Sequence, residues 1–168
     1  YFLCEFLSGR KTFGVYPDFG DARLDIIGCD IVAEAIAAAS EDPGMAGRIL
    51  HLCSGPDHAM RIEDLKHLVR QSFAQRGLAV PGDRVLPRRW YASLARFTSR
   101  LAPRDARKAL ATLPIYLEYL ADSQAFDDSV FRRWLAERGQ HRPAPAVYLP
   151  KVLDYYFALR HGADGVRS

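Results

Sequence analysis

The sequence predicts a mixed α/β chain in which short strands alternate with helices before a mostly helical C-terminal half. Two observations favour this fold class. Short β-rich runs that end in Gly, Pro or Ser alternate with longer runs whose apolar residues recur every three to four positions. Beyond residue 84 the apolar spacing is helical almost throughout. We therefore expect an α/β segment at residues 1–82 and a helical segment at residues 83–168.

The first predicted elements lie before residue 43. Residues 1–7 are predicted as the end of a helix or a strand, and the alternating run 11–16 as a strand. The β-rich run 24–27 predicts a short strand. A helix is predicted from Asp30, and it should stop before Pro43. Asp30 is expected to cap this helix, because an aspartate at the first position can accept bonds from free N–H groups.

The remaining elements follow the same signals. Residues 49–53 are predicted as a buried strand and residues 62–73 as a helix ended by Gly77. Val85 and Leu86 form a possible short strand. A helix is then predicted with Trp90, Leu94, Phe97 and Leu101 inward, and Pro103 should end it. Further helices are predicted at about 104–113, from Pro114, at 129–138 and at 151–160. In the helix at 129–138, the side chains expected in the core are Val130, Phe131, Trp134 and Leu135.

Composition excludes several classes of protein. The chain has 168 residues, of which 49% are hydrophobic and 26% charged, as in an ordinary globular domain or part of a larger one. No apolar run reaches the roughly 18 residues of a membrane span. A net charge of +3 is too small to indicate nucleic-acid binding. Three separated cysteines in apolar segments indicate reduced thiols, and hence a cytoplasmic location.

The charges are unevenly distributed. Residues 84–108 contain one acid, Asp105, and eight basic residues: Arg84, Arg88, Arg89, Arg96, Arg100, Arg104, Arg107 and Lys108. Residues 109–131 contain four acids and no base. Two interpretations stay open: solvated faces that partly compensate each other, or a basic surface for a phosphorylated cofactor tail or an acidic carrier protein.

A resemblance to a known family rests on "ARLDIIGCDIVAEAI", "GRILHLCSG" and "IEDLKHLV". In their order and spacing they resemble the C-terminal, substrate-binding portion of extended short-chain dehydrogenases/reductases. The closest branch is the male-sterility branch of fatty acyl-CoA reductases and carrier-protein thioester reductases. The run "YLEYLADSQAFDDSVFRRWL" is similar to C-terminal extensions of that branch. The resemblance implies an extended Rossmann-type reductase that uses NADP or NAD and acts on an acyl-CoA or acyl carrier protein.

Two motifs of that family are missing from this sequence. There is no Gly-rich turn of the kind that places a dinucleotide pyrophosphate on a helix N-terminus. There is also no Tyr-x-x-x-Lys, since Tyr148 and Lys151 have the wrong spacing and Pro150 between them. The N-terminus is apolar and has neither Met nor a leader, which indicates that the sequence opens within a helix or strand. We therefore expect a fragment that lacks its N-terminal Rossmann half and neither binds cofactor nor catalyses hydride transfer alone.

The resemblance also implies substrate-binding residues, namely Arg23, Cys29, Asp30, Arg88, Arg89 and Trp90. Arg23 stands seven positions before Asp30, where sugar-nucleotide members of the family often carry an arginine that contacts a substrate phosphate. A surface ion pair of Arg23 with Asp21 or Asp25 is the structural alternative. The aromatic residues of the C-terminal half either form a helical core or line a channel for an acyl chain.

Other types of site are weakly indicated. The run "HLCSGPDH" contains His51, Cys53 and His58, but no second ligand pair at zinc spacing follows. Ser54 lacks the G-x-S-x-G context of a hydrolase nucleophile. His51 is expected to be a core imidazole bonded to the backbone. The alternative function is a non-catalytic docking module that binds an acidic partner through its basic helical face.

Overall fold

The computed structural model describes residues 2–101 and 126–161, with the side chains of residues 95–101 and 161 outside that description. This part of the chain is mixed α/β. Its elements are α1 (Phe2–Leu7), β1 (Val15–Pro17), β2 (Arg23–Leu24), α2 (Cys29–Ser40), a 3-10 turn (Pro43–Met45), β3 (Met60–Arg61), α3 (Ile62–Gln75), β4 (Arg84–Leu86), α4 (Arg88–Leu101), α5 (Ser129–Glu137) and α6 (Pro145–His161).

The chain forms two compact units, each built from separate stretches of sequence. Of the described residues, the first unit contains 2–22, 61–101 and 153–161, and the second contains 23–60 and 126–152. Strands β2 and β3 form a separate two-stranded pair. The predicted division of the sequence at residue 82 stays a prediction.

The first unit is organised around Tyr16 on β1. Strand β1 pairs in parallel with β4, in a register that places Tyr16 opposite Val85. The ring of Tyr16 is fully buried, and its hydroxyl donates to the carbonyl of Leu7 (2.8 Å) and accepts from Arg70 (2.9 Å). The buried tyrosine therefore links α1 to α3, which carries Arg70.

A buried lysine on α3 fastens the loop that precedes β4. The Nζ of Lys66 is 2.6 Å from a carboxylate oxygen of Glu63 and 3.1 Å from one of Asp83, and its side chain is almost wholly enclosed. Arg70 adds a bond to the carbonyl of Pro81 (2.7 Å) in the same loop. Because a buried charge is costly without partners, these contacts fix the loop tightly.

The core of the second unit lies between α2 and α5. Helix α5 contributes Phe131, Trp134 and Leu135, and α2 contributes Ala35. Other apolar side chains pack against this cluster: Ile27, Ala38, Ala39, Met45, Leu50 and Leu52. The small residues of α2 let α5 approach closely, so the large side chains come mainly from α5.

Several predicted elements are confirmed. Helices occupy 29–40, 62–75, 88–101 and 129–137, and Val85–Leu86 belongs to a strand. Gly77 follows α3 with φ +70°, as the predicted helix end requires. The N-terminal element is a helix. The predicted helices at 104–113 and after Pro114 lie outside the described residues.

The predicted strands were too long. Of the run 11–16, only Val15 and Tyr16 lie in a strand, β1, since Phe13 adopts φ +53° and breaks the extended chain. The second strand stops at Leu24. The predicted strand at 49–53 is wrong, because no described segment pairs with it, and Ile49 is 79% exposed.

Two helix starts differ from prediction. Helix α2 begins at Cys29 with Gly28 at the N-cap position, so Asp30 is the second helical residue and makes no capping bond. Its charge still lies in the first turn, where it suits the helix dipole. Helix α6 begins at Pro145, six residues before the predicted start at Lys151, and includes Pro150. Proline is favourable at a first helical position, which explains the earlier start.

The predicted burial of two helices was also partly wrong. On α4, Trp90 is 63% exposed and Leu94 43% exposed, while Tyr91 is buried instead. On α5, Val130 is 40% exposed, although Phe131, Trp134 and Leu135 are buried as predicted. In each helix the buried face is rotated by about one residue from the predicted face. The sequence pattern does not distinguish an apolar residue next to the buried stripe from a residue within it.

Of the helices described here, none is long and apolar enough to cross a membrane.

Substitutions at two neighbouring residues of α5 test which face of the helix is buried. Replacing Phe131, which is fully buried, by Ala should lower the free energy of unfolding by about 3–5 kcal/mol through lost burial and a cavity. Val130→Ala, one position away and partly exposed, should cost less than about 1 kcal/mol. Urea unfolding followed by circular dichroism measures both. Equal losses would contradict the orientation of α5.

The carboxylate of Asp42 predicts an acid-dependent contribution to stability. It accepts bonds from the indole N–H of Trp134 (2.8 Å) and the backbone N–H of Gly44 (2.9 Å), and these lower the pKa of Asp42 from its usual 3.8. The stabilisation is therefore present above pH 3.8 and is lost as the pH falls through the lowered pKa.

The measurement is the urea midpoint of wild type and Asp42→Asn across this acidic range, with Trp134 fluorescence as the readout. The gap between the two proteins should close as the pH falls. A constant gap at every pH would contradict the role of the Asp42 charge.

Candidate functional site

The candidate site is a polar cluster in the second unit around the turn Ser54–Gly55. The carboxylate of Asp25, which directly follows β2, accepts three hydrogen bonds from this turn. The donors are the backbone N–H of Ser54 (2.7 Å), its hydroxyl (2.9 Å) and the backbone N–H of Gly55 (2.9 Å). We name these three residues the Asp25 clasp. It joins the end of β2 to a turn about 30 positions later.

A buried ion pair lies against the other side of the turn. Asp128 and Arg142 form it, and their side chains are only 5% and 6% exposed. Arg142 also donates to the carbonyl of Cys53. The guanidinium is thus held by both a carboxylate and the backbone just before the clasp, which offsets the cost of burying its charge.

Gly55 is required at this position by two independent constraints. Its φ is +81°, which L side chains rarely adopt. A Cβ atom there would also stand 2.3 Å from a carboxylate oxygen of Asp128. The Ser-Gly pair is therefore fixed by the clasp on one side and by the ion pair on the other.

The residues just before the clasp alternate in burial as the residues of a strand do. Leu50 and Leu52 pack against the core, whereas Ile49 and His51 are exposed. Within the described part of the chain, the backbone N–H groups of residues 49–52 donate to no backbone carbonyl. The segment has the burial pattern of a strand but no paired neighbour there, and the backbone N–H of Cys53 donates back to the carbonyl of His51 (3.0 Å).

His51 is bonded to the backbone, as predicted, but it is not a core residue. Its Nδ1 donates to the carbonyl of Asp127 (2.9 Å), and the ring is exposed beside Phe126. A carbonyl can only accept, so Nδ1 carries a proton in this bond. The thiol of Cys53 is buried, and burial raises its pKa, with Asp25 and Asp128 raising it further.

The predicted substrate residues are spread over both units. In the second unit, Arg23 donates from a terminal nitrogen to the carbonyl of Ala59 (3.0 Å), and Cys29 and Asp30 are exposed at the start of α2. Arg23 forms no ion pair with Asp21, which pairs with Arg61, or with Asp25, which is occupied by the clasp. The substrate role of these three residues stays a prediction.

In the first unit, the three predicted residues at the start of α4 differ in their contacts. Arg88 donates to the carbonyls of Asp18 (2.8 Å) and Phe19 (3.1 Å), so it anchors the helix. Arg89 and Trp90 are exposed. Their substrate role also stays a prediction.

Sequence reasoning missed Asp25, Asp128 and Arg142 as members of the cluster. Asp25 was considered only as a partner for Arg23. The sequence does contain a signal for Asp25. An aspartate that follows a strand can accept hydrogen bonds, and a Ser-Gly turn that follows an apolar run can donate them. Asp128 and Arg142 carry no local signal, because their pairing depends on how the chain returns to the turn.

Metal binding finds no geometric support in the described residues. Among them, no three His, Cys, Asp or Glu side chains stand close enough to hold an ion.

No family model, curated protein or solved structure matches the chain.

The geometry of the Ser54–Gly55 turn predicts that substitution by alanine is more destabilising at Gly55 than at Gly47. Gly55→Ala should be at least about 2 kcal/mol more destabilising than Gly47→Ala, since a methyl group at 55 must displace Asp128. Gly47 lies in the same unit with φ +73° and has nothing within 4 Å of a built Cβ, so it reports the backbone cost alone, about 1 kcal/mol. Urea unfolding measures both. Equal losses would contradict the close approach of Asp128.

Proposed function

We propose that this chain is the substrate-binding portion of an NAD(P)H-dependent reductase that acts on an acyl thioester, on CoA or on an acyl carrier protein. In this proposal, the nucleotide-binding Rossmann sheet is supplied by another part of the protein. The fold class would then be the substrate-binding part of an extended Rossmann-type reductase. The proposal also implies a cytoplasmic protein.

The resemblance is supported by the contact between its two most informative motifs. The strand end that contains Asp25 and the apolar run that ends in Ser54–Gly55 are far apart in sequence. They meet through three hydrogen bonds to a single carboxylate. A chance similarity of two short motifs gives no reason for this contact, whereas a shared fold does.

The observation that carries the proposal is the segment at residues 49–52, which has no paired neighbour among residues 2–101 and 126–161. Its alternating burial is typical of a strand in the sheet of a larger domain. Backbone groups in a folded protein normally find partners, and the N–H groups of this segment, which donate to no backbone carbonyl of the described residues, are suited to a neighbouring strand. A parallel Rossmann sheet would supply one.

The described residues do not fit a dinucleotide pyrophosphate. The first turns of α2 and α3 contain carboxylates, Asp30 in α2 and Glu63 and Asp64 in α3, and these repel phosphate. Helix α5 follows Asp127 and Asp128, and Pro87 rather than a Gly-rich turn precedes α4. NADP or NAD would therefore bind to the missing part, and we assign no step of hydride transfer to this chain.

Arg23 is the residue best suited to a substrate phosphate. One terminal nitrogen is fixed by the carbonyl of Ala59, which orients the guanidinium, and the residue is exposed. The other N–H donors of the fork can bind phosphate oxygens in pairs. CoA and the carrier-protein prosthetic arm both carry phosphate, so Arg23 would bind the part of the substrate that is distant from the thioester.

A docking module without catalytic activity is the second candidate. The observation in its favour is the exposure of Trp90 beside Arg89 at the start of α4. An acidic partner would be attracted by the arginines and would cover the indole ring.

The reductase proposal predicts a substrate-specific effect of Arg23. When the natural gene product carries the substitution Arg23→Gln, its KM for an acyl-CoA should rise about tenfold, because a charge-assisted phosphate contact is lost. KM for the matching acyl N-acetylcysteamine thioester, which has no phosphate, should not change. The assay is NADPH or NADH oxidation.

Arg61→Gln is the matched control, since Arg61 is a surface arginine paired with Asp21. It should affect neither substrate. Absence of reductase activity in the natural product would overturn the proposal, as would reductase activity in residues 1–168 alone. Equal effects of Arg23→Gln on both thioesters would remove Arg23 from phosphate binding.

A further inference from the structure

The surface formed by residues 84–90, in the first unit, has an excess of positive charge. It contains Arg84, Arg88 and Arg89, and the sequence has no acid from 84 to 104. The preceding acid, Asp83, is paired with cations of α3: it lies 3.1 Å from Lys66, which is shared with Glu63, and 3.9 Å from Arg70.

The three arginines differ in whether their side chains form hydrogen bonds within the described part of the protein. Arg88 is bonded to the carbonyls of Asp18 and Phe19 and holds the start of α4 in place. Arg84 is held by its backbone N–H, which donates to the carbonyl of Gly14 (2.8 Å), while its side chain is exposed. Neither Arg84 nor Arg89 forms an ion pair with any described residue. Two cationic groups are thus displayed on a firmly anchored backbone.

An exposed tryptophan directly follows Arg89 in the sequence. Trp90 is 63% exposed, and Val85 is about half exposed on β4. The next residue, Tyr91, is buried, and the backbone N–H groups of Trp90 and Tyr91 both donate to the carbonyl of Pro87. The indole is consequently carried by an ordered helix start and directed away from the core of its unit.

We propose that the 84–90 surface adsorbs to anionic lipid bilayers, with Trp90 in the headgroup region and Arg84 and Arg89 on lipid phosphates. Tryptophan favours the membrane interface, where its ring is in an apolar layer and its N–H in a wet one. Basic side chains beside it are attracted to anionic headgroups. The protein binds peripherally, and none of the described helices enters the bilayer core.

A lipid surface fits these residues better than a protein partner does. Stable protein interfaces have a fully buried apolar centre of several well-packed side chains. Among the described side chains, the 84–90 surface offers one large ring and one valine between charges, and Leu94, one turn further along α4, is only partly exposed. A bilayer needs no shape complementarity, and an interfacial aromatic with a few cations is sufficient for weak, salt-sensitive binding.

The intrinsic fluorescence of the two tryptophans allows vesicle binding to be measured. Of its two tryptophans, Trp90 is exposed and Trp134 is buried and bonded to Asp42. Vesicles of phosphatidylglycerol and phosphatidylcholine in equal parts should shift the emission to shorter wavelength, and brominated acyl chains should quench it. Trp90→Phe should abolish both responses, because Trp134 does not meet the lipid. Vesicles of phosphatidylcholine alone should give neither.

Matched charge variants separate this surface from the net charge of the protein. Arg89→Gln should weaken vesicle binding about fivefold, whereas Arg133→Gln, an exposed arginine on α5 in the other unit, should leave it unchanged. Equal weakening by both would overturn the proposal in favour of non-specific attraction. So would quenching that persists in Trp90→Phe, or equal binding to both kinds of vesicle.

Poly-L-glutamate tests for an acidic protein partner. If it shifts the Trp90 emission at concentrations where anionic vesicles have no effect, the 84–90 surface binds acidic polypeptides and the lipid proposal is wrong.

Discussion

The second unit depends on one carboxylate, that of Asp25. It accepts three hydrogen bonds from the Ser54–Gly55 turn and so fixes the distance between the end of β2 and the end of the segment at residues 49–52. Charge-assisted bonds to two successive backbone N–H groups are strong and directional, which gives the turn a single geometry. The ion pair of Asp128 and Arg142 then closes over the same turn, and Gly55 is the residue that leaves room for it.

This arrangement explains how a segment without a paired neighbour among the described residues is held in place. Residues 49–52 are held at one end by the clasp and along one side by Leu50 and Leu52, which pack against the core. Their backbone N–H groups donate to no backbone carbonyl in the described part of the chain. A segment with these properties could join a larger sheet, which is the basis of the proposed reductase function.

Much of the fold could be predicted from the sequence, and the failures have physical causes. The helices α2, α3 and α5 follow from apolar spacing and from end signals such as Gly77, which depend on nearby residues only. The strand predicted at 49–53 failed because a strand is defined by its neighbour, and the apolar pattern describes only one side of it. Trp90 was placed in the core because apolar spacing does not distinguish a buried stripe from an adjacent exposed one. Of the site, the sequence indicated the Ser-Gly turn and Arg23, but the pairing of Asp128 with Arg142 arises only when the chain folds back on itself.

Amide hydrogen exchange of residues 49–55, measured by NMR on this chain, tests the central claim most directly. The account predicts strong protection of the N–H groups of Ser54 and Gly55, which donate to Asp25, and exchange near the rate of an unstructured peptide for residues 49–52. Substituting Asp25→Asn should reduce protection at 54 and 55 and leave the other residues unchanged. Strong protection across residues 49–52 in wild type would contradict the account, because it would mean that this segment already has a strand partner within the chain.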